Sequence, residues 1–214
     1  MPANLDLRLD TKATGKDGNK VFARANEQKD LLMAQGAMPF TELTRLGGGW
    51  STMSTSAVAG LVVRPGTTAA FEIYNAYSDG GLSLVIDRMF WFNLVGTAVI
   101  ENYLGWAAVS RPDRAASAPS DGSFVVRGNA GSAYGGSVIA AAGTTVVDEG
   151  WFPWSEAYQK GAGGVKPFGA VVADVAGRLI VPPGSSLNMH VVSSVVGQTF
   201  TQGASWYEVQ LTME

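Results

Sequence analysis

From Trp50 onward, apolar and polar residues alternate along many short stretches of the chain. In one such stretch Phe71 and Ile73 fall on one face of an extended strand and Glu72 on the other, because successive side chains of a strand point to opposite faces. Residues 82–95 are rich in aromatic and β-branched residues, which predicts a long central strand. The pattern predicts roughly nine to eleven strands, at spacings typical of sandwiches and barrels.

One pattern occurs three times: an apolar pair, a corner rich in Pro and Gly, two hydroxyl residues and an alternating run. It spans residues 62–73 and 180–191, with a looser copy at 140–149 that lacks the proline. We expect each copy to form a strand, a corner and a second strand, because proline cannot donate to a ladder and glycine suits the turn. In the two full copies Glu72 and His190 occupy matching positions on the polar face. Convergent use of the same turn residues would give the same pattern, and that alternative stays open.

Residues 1–48 differ from the rest of the chain. They hold seven of the fifteen Lys and Arg residues and six of the eighteen Asp and Glu residues. Leu5, Leu7 and Leu9 alternate with polar residues, as in a short strand with one apolar face. Residues 21–35 contain no Gly or Pro and carry good helix formers, which predicts a short helix. We expect an arm that becomes ordered by lying on another surface; a loose terminus is the alternative.

No alternation of strands with amphipathic helices is visible, so a parallel sheet with crossover helices is not expected. The predicted fold is all-β: an antiparallel β-sandwich, jelly-roll-like, over residues 49–214, preceded by an extended arm over 1–48 that contains the short helix. Apolar residues make up 46% of the 214 residues, which is enough for a core.

Charged residues are only 15% of the chain, below the usual quarter. Such a surface is either hidden against other subunits or covered with Ser, Thr and Gly, and both interpretations stay open. The first ten residues lack the basic and apolar regions of a signal peptide, so we expect synthesis in the cytoplasm without a secretion signal. No apolar stretch is long enough to predict a membrane-spanning helix.

Candidate catalytic and metal-binding residues are few. The chain has no Cys and a single His, His190, so the usual zinc ligand sets cannot be built and we expect no metal or cofactor. Asp148, Glu149 and Glu156 lie near aromatic residues and suggest a glycosidase, but adjacent strand residues face opposite ways. Scattered Lys and Arg give no stripe for nucleic acid. We therefore predict that the protein is not an enzyme and has no catalytic residues.

The aromatic residues are the more useful signal. Trp151 and Trp154 lie in residues 151–167, which show no clear period and are predicted to form a long connection. Exposed there, they would either bind the faces of a glycan or anchor a contact between subunits.

Residues 61–75 and 178–193, together with the arm, resemble single jelly-roll viral coat proteins and phage capsid decoration proteins in texture. The resemblance implies a homo-oligomer, often a trimer, built into or onto an icosahedral shell, and hence a place in the virion among other capsid subunits. Coat proteins that package single-stranded genomes often have strongly basic arms, whereas this arm is nearly neutral. That difference favours a decoration protein or a shell whose genome is handled by other means.

The first hypothesis is therefore a structural virion protein that acts through its interfaces. Candidate interface residues combine the apolar residues of the arm with the two tryptophans: Leu5, Leu7, Leu9, Phe22, Leu31, Leu32, Trp151 and Trp154. A carbohydrate-binding β-sandwich that uses exposed Trp151 and Trp154 is the alternative, with a glycan as partner. A glycan-cleaving enzyme is the third hypothesis.

Overall fold

A computed structural model describes the following parts of the chain: residues 24–25, 31–32, 41–54, 56–78, 80–95, 100–110, 125–127, 136, 138–146, 150–160 and 169–211. The chain divides into two compact units, Met1–Pro39 and Phe40–Glu214. Among the described residues, no helix is long and apolar enough to cross a membrane.

The described part of the first unit is a pair of short strands, β1 (Arg24–Ala25) and β2 (Leu31–Leu32). They pair antiparallel, with Arg24 opposite Leu32 and Ala25 opposite Leu31. The helix predicted over residues 21–35 is therefore wrong at these four residues, because helix propensity is a weak preference that strand pairing overrides. The predicted strand at Leu5, Leu7 and Leu9 lies outside the described residues, as does Phe22.

The second unit begins with a short helix, α1 (Thr41–Arg45). It ends at Gly47, whose φ of 88° is the left-handed conformation that glycine adopts readily and whose N–H donates to the Thr44 carbonyl at 3.0 Å. The chain then enters a sandwich of two antiparallel sheets, which confirms the predicted fold class.

The five-stranded sheet has the order β10 (Phe152–Lys160), β7 (Ile100–Ser110), β13 (Ser186–Ser193), β5 (Thr68–Asn75) and β9 (Val138–Thr145). The seven-stranded sheet has the order β11 (Gly169–Asp174), β6 (Ser83–Val95), β14 (Thr199–Val209), β3 (Gly49–Met53) and β8 (Val125–Arg127), with β12 (Ile180–Val181) beside β6 and β4 (Val58–Ala59) beside β14. The first strand expected in the copy at residues 180–191 is confirmed as β12, and β4 lies in the apolar run at residues 57–63.

The chain crosses repeatedly between the two sheets. It passes from β5 to β6 and back to β7, and later from β12 to β13 and on to β14. Crossing of this kind makes neighbours of strands that are distant in sequence, such as β5 and β13. The predicted long strand over residues 82–95 is confirmed as β6, which lies inside its sheet between β11 and β14.

The main core lies between the two sheets. Its largest fully buried members come from β5, β6, β7, β13 and β14: Phe71, Ile73, Leu84, Ile86, Met89, Trp91, Tyr103, Leu187, Met189, Phe200 and Trp206. The indole of Trp91 crosses the interior to β7, where a Cβ on Gly105 would lie 2.5 Å from the ring. Burying each large side chain contributes roughly 1.5–3 kcal/mol, so this layer holds the sheets together.

The two full copies of the repeated pattern end in adjacent strands, β5 and β13. Leu187 lies opposite Ile73 and Met189 opposite Phe71, all facing the core, as the alternation predicts. Before β13, Gly184 turns with a φ of 74°. Because the strands are antiparallel, the two corners lie at opposite ends of the sheet. The corner predicted in the looser copy at residues 140–149 is wrong, because residues 138–145 continue as one strand, β9.

The connection predicted over residues 151–167 is also wrong, because its first part is the strand β10. Proline is tolerated at Pro153 because β10 lies at the edge of its sheet, where one side of the strand has no ladder partner. The pairing of β10 with β7 shifts register between Pro153 and Ser155, and this irregularity breaks the two-residue period that marks a strand in the sequence.

Candidate functional site

The outer side of the five-stranded sheet carries polar residues that are nevertheless buried. Since Phe71, Leu187 and Met189 face the core, their sequence neighbours face outward. We call this surface the polar face, and its buried members are Glu72, Tyr74, Ser110, Ser186, Asn188 and His190. The sequence placed Glu72 and His190 on a polar face correctly, but gave no sign that the face is buried.

Asn188 lies at the centre of the polar face, opposite Ala108 on one side and Glu72 on the other. Its Nδ2 donates to the Ser110 Oγ at 2.6 Å and lies 3.3 Å from the Ala108 carbonyl oxygen. The carboxylate of Glu72 is fully buried beside it. Buried polar groups cost stability unless hydrogen bonds compensate for lost water, and here the bonds of the Asn188 Nδ2 do so, whereas its Oδ1 has no described partner.

His190 lies two residues further along β13, opposite Trp106 on β7. Its Nδ1 lies 2.8 Å from the Val191 backbone nitrogen and 3.1 Å from the Val191 carbonyl oxygen, so the backbone of the next residue holds the ring in place. Burial lowers the pKa of His190 below 6.5, and the Val191 carbonyl, 3.1 Å from Nδ1, acts in the opposite direction with a smaller effect. The histidine is therefore neutral at pH 7, where it serves as a packed polar residue.

Trp151 covers the same region. Its ring meets that of His190 edge-on, with the centroids 6.4 Å apart, and it packs in a small apolar cluster with Ala69, Ala108 and Val146. The indole Nε1 donates to the Gly66 carbonyl at 2.6 Å, and the residue is only 5% exposed. The prediction that Trp151 is exposed is therefore wrong, because a partner 85 residues away in sequence buries it.

Trp154 is half-buried against the core rather than freely exposed. The guanidinium of Arg178 lies 5.3 Å from its ring centroid, a distance typical of a cation–π contact. The aromatic residue that is exposed here is Phe152, at 64%, and its ring meets Trp154 edge-on at 6.2 Å. The sequence argument missed Phe152 because it considered only the tryptophans of this aromatic cluster.

The outer side of the seven-stranded sheet is different, because it carries exposed apolar residues. Val172, Phe90, Gly203 and Met53 lie directly opposite one another in a row across β11, β6, β14 and β3. Val172 is 51% exposed and Met53 45%. We call this surface the apolar face, and its members are Val172, Phe90, Met53, Phe92 and Leu94.

A row of polar residues borders the apolar face. Asp174, Arg88, Ser205 and Ser51 lie opposite one another in the same four strands. The Arg88 Nε lies 3.0 Å from the Asp174 Oδ1, with side chains 61% and 74% exposed. An apolar strip with an exposed ion pair along its margin has the layout of a protein interface, where an apolar centre is surrounded by a polar rim.

A second exposed apolar surface lies at one end of the sandwich. The Gly60 N–H donates to the Gln198 carbonyl and the Leu61 N–H to the Val191 carbonyl, each at 3.0 Å. These bonds place the chain after Leu61 beside the turn that precedes β14. We call the three exposed valines there the apex patch: Val62, Val63 and Val196.

The other predicted site residues are placed as follows. Leu31 and Leu32 lie in β2, whereas Asp148 and Glu149 lie outside the described residues; Glu156 is exposed on β10. Within the described ranges, no three His, Asp or Glu side chains are grouped so that they could hold a metal ion. The sequence did hold one unused signal for the apolar face: residues 89–92 are apolar at every position, which fits a strand with two apolar faces.

Comparison with known proteins gives no relative for this chain. No protein-family model matches it, and no match was found among the curated proteins or the solved structures. The fold and its surfaces define a β-sandwich with a buried polar face and an exposed apolar face, and function is inferred from these surfaces.

Proposed function

We propose that the protein is a structural virion protein, a coat or decoration subunit, that binds other copies of itself through the apolar face. The supporting observation is the row of exposed Val172, partly buried Phe90 and exposed Met53 across neighbouring strands of one sheet. Contiguous exposed apolar surface on a folded protein marks a site of interaction, because leaving it in water is unfavourable. The low share of charged residues fits a chain whose surface is covered in an assembly.

The apolar face is shaped for close contact. Gly203 has no side chain, and a Cβ there would lie 2.8 Å from the Phe90 Cζ, so the Phe90 ring lies against β14. The rings of Phe90 and Phe92 are 5.5 Å apart on the same strand and form a continuous aromatic surface. Aromatic residues are enriched at the centres of protein interfaces because they bury much area with few rotatable bonds.

Two different apolar surfaces favour a closed ring over a simple dimer. In a trimer with cyclic symmetry each contact joins two unlike surfaces, one from each neighbour. The apolar face and the apex patch of Val62, Val63 and Val196 are such a pair, both exposed in the single chain. The trimer implied by the resemblance to virion proteins is therefore the assembly that we propose.

The test measures the mass of the full-length protein by light scattering, together with electron microscopy of the same sample. We expect a trimer or larger regular assembly, and we expect Val172→Asp to lower the mass because a charge would be buried in the contact. Leu46→Asp is the matched control, since Leu46 is 59% exposed and belongs to neither surface. Circular dichroism checks that both variants fold.

Two results would count against the proposal. A wild-type protein that stays monomeric at high concentration would rule out self-assembly as its role. A Val172→Asp variant that keeps the full mass would show that the apolar face is not the contact, even if the protein assembles by another surface.

A carbohydrate-binding role is the second candidate, favoured by one observation. The exposed ring of Phe152 lies beside the half-buried Trp154, and exposed aromatic rings stack on sugar faces. Binding on a glycan array that is lost in Phe152→Ala and kept in Val172→Asp would support this role over assembly. Absence of glycan binding in a protein that forms regular trimers would exclude it.

A further inference from the structure

Three side-chain amides are buried inside the sandwich, around the side chain of Phe200. Asn93 lies opposite Phe200, and Gln202 lies opposite Trp91, so both amides share the core-facing side of their strands with these aromatic rings. Gln198 lies two residues before Phe200 and is also buried. All three residues are at most 2% exposed.

Most polar atoms of these amides have no partner in the protein. In the part of the chain that the structure describes, no hydrogen bond reaches either amide atom of Asn93, either of Gln198, or the Gln202 Oε1. The indole Nε1 of Trp91, on the residue opposite Gln202, has none either. These atoms are therefore a cluster of unbonded donors and acceptors on neighbouring positions of β6 and β14.

The buried side-chain amide of Asn75, in the same sandwich, is bonded fully and gives a comparison for the cluster. The Asn75 Nδ2 donates to the Leu82 carbonyl at 2.9 Å and to the Val181 carbonyl at 3.0 Å. Its Oδ1 accepts from the Tyr77 N–H at 3.2 Å. Every polar atom of the Asn75 amide thus has a protein partner, whereas five of the six amide atoms of Asn93, Gln198 and Gln202 have none in the described part of the chain.

The chemistry of the cluster identifies what it binds. Donors come from Asn93, Gln198 and the Trp91 indole, and acceptors from all three amide carbonyls. An anion would use only the donors, and a cation only the carbonyl oxygens. Water both donates and accepts, and buried waters in proteins bind to polar groups that would otherwise have no partner.

We propose that Asn93, Gln198 and Gln202 form an internal site for ordered water molecules between the two sheets. The Gln198 carbonyl accepts from the Gly60 N–H at 3.0 Å, two residues before Val62 of the apex patch. Bound water at the Gln198 side chain would therefore hold the segment that carries the apex patch in place. The inference does not depend on the proposed assembly, since the site lies inside a single chain.

A crystal structure of the full-length protein at high resolution, with side-chain amide NMR in solution, tests the proposal directly. We expect water oxygens within hydrogen-bond distance of the Asn93, Gln198 and Gln202 amides, and cross-relaxation between these amide protons and slowly exchanging water. The Asn75 amide is the control and should show no such water contact, because its bonds go to the protein. Amides bonded to one another, or an ion identified by anomalous scattering, would overturn the proposal.

Substitution gives a second, independent measurement. We expect Asn93→Leu and Gln202→Leu each to lower the urea midpoint, because each leaves the remaining amides and water with fewer partners. The double variant should lose less than the sum of the two, because it removes the shared water site. Gln210→Leu, at an exposed amide, is the control and should change the midpoint little. Strict additivity of the Asn93→Leu and Gln202→Leu effects would contradict a shared water site. If one of these variants fails to fold, the crystal structure and the NMR measurement on the wild type test the proposal instead.

Discussion

The two outer faces of the sandwich invert the usual relation between polarity and exposure. The polar face buries Glu72 and Asn188, whereas the apolar face exposes Val172 and Met53. Both faces are built in the same way, from antiparallel strands whose other side packs in the core. The difference shows that alternation fixes which residues share a face, but not what covers that face.

What covers the polar face is partly visible in the structure. Trp151, just before β10, packs on His190 and reaches the Gly66 carbonyl just before β5. The neighbouring Pro65 is buried as well. On the apolar face, by contrast, Val172 and Met53 are 51% and 45% exposed.

The largest effect is expected at Trp151, because it closes the polar face. Trp151→Ala should lower the free energy of unfolding by about 3–5 kcal/mol, the usual range for removing a large buried aromatic side chain. Trp151→Phe keeps a ring but removes the bond to the Gly66 carbonyl, and should cost about 1–2 kcal/mol. Urea unfolding followed by circular dichroism measures both.

Trp154→Ala is the matched control, since Trp154 is half-buried on the same strand edge. It should destabilise the protein less than Trp151→Ala does. If the two substitutions lower the free energy of unfolding equally, Trp151 does not cover the polar face in solution. The contrast between a buried polar face and an exposed apolar face would then be wrong.

The second effect concerns the centre of the polar face. Asn188→Ala should lower the free energy of unfolding by about 1–3 kcal/mol, because it removes the bond to the Ser110 Oγ and leaves buried polar groups without a partner. Asn102→Ala, at an exposed asparagine on β7, should change it by less than about 0.5 kcal/mol. Equal costs for the two asparagines would show that the polar face is open to water.

Much of the fold follows from the sequence, because local alternation is enough to determine it. Phe71, Ile73, Leu187 and Met189 face the core as their two-residue period predicts. The fold class follows from the number and spacing of such stretches. The repeated pattern correctly predicts the turn at Gly184 and the strand that ends each full copy, but the strand expected at Val62 and Val63 is wrong. Nothing in the pattern shows that β5 and β13 are neighbours.

The wrong predictions for Trp151, β10 and residues 21–35 have a common cause, because contacts between residues apart in sequence determine the structure there. Trp151 is buried by a residue 85 positions away, and β10 is irregular at Pro153, so neither is visible locally. The pair Arg24 and Leu32 lies in short strands although the surrounding residues favour helix. The candidate interface residues named from the sequence do not include Val172, Phe90 or Met53 of the apolar face.

The third effect is a dependence on pH from the only histidine of the chain, His190. Burial lowers its pKa in the folded state below 6.5, the ordinary value that applies to the unfolded chain. Above pH 6.5 the ring is neutral in both states. As the pH falls below 6.5, the unfolded chain binds the proton first, so the stability decreases toward the folded-state pKa.

The measurement compares the urea midpoint at pH 7.5 and pH 5.5 in the wild type and in His190→Gln. We expect a larger loss in the wild type, since carboxylates titrate in both proteins and only the wild type has the histidine. The single histidine signal in the proton NMR spectrum should titrate with a midpoint below 6.5 in the folded protein. A midpoint above 6.5 would mean that the ring is solvated or paired with a carboxylate, and that the polar face is not closed over it.

The smallest effect on stability is expected at the ion pair beside the apolar face. Arg88 and Asp174 are mostly exposed, and pairs of this kind contribute about 0.2–1 kcal/mol because water and salt screen them. In the isolated chain, Arg88→Gln, Asp174→Asn and the double variant should therefore form a double-mutant cycle with a coupling energy below about 1 kcal/mol.

In the assembly that we propose, the same pair lies at the rim of a contact, where rim charges mainly affect the rate of association and its response to salt. Arg88→Gln should then slow assembly at low salt more than at high salt, with the unfolding midpoint of the monomer nearly unchanged. If Arg88→Gln shifts the monomer midpoint strongly and leaves the assembly rate unaffected at every salt concentration, the pair stabilises the sheet alone and the apolar face loses its polar rim as an argument for an interface.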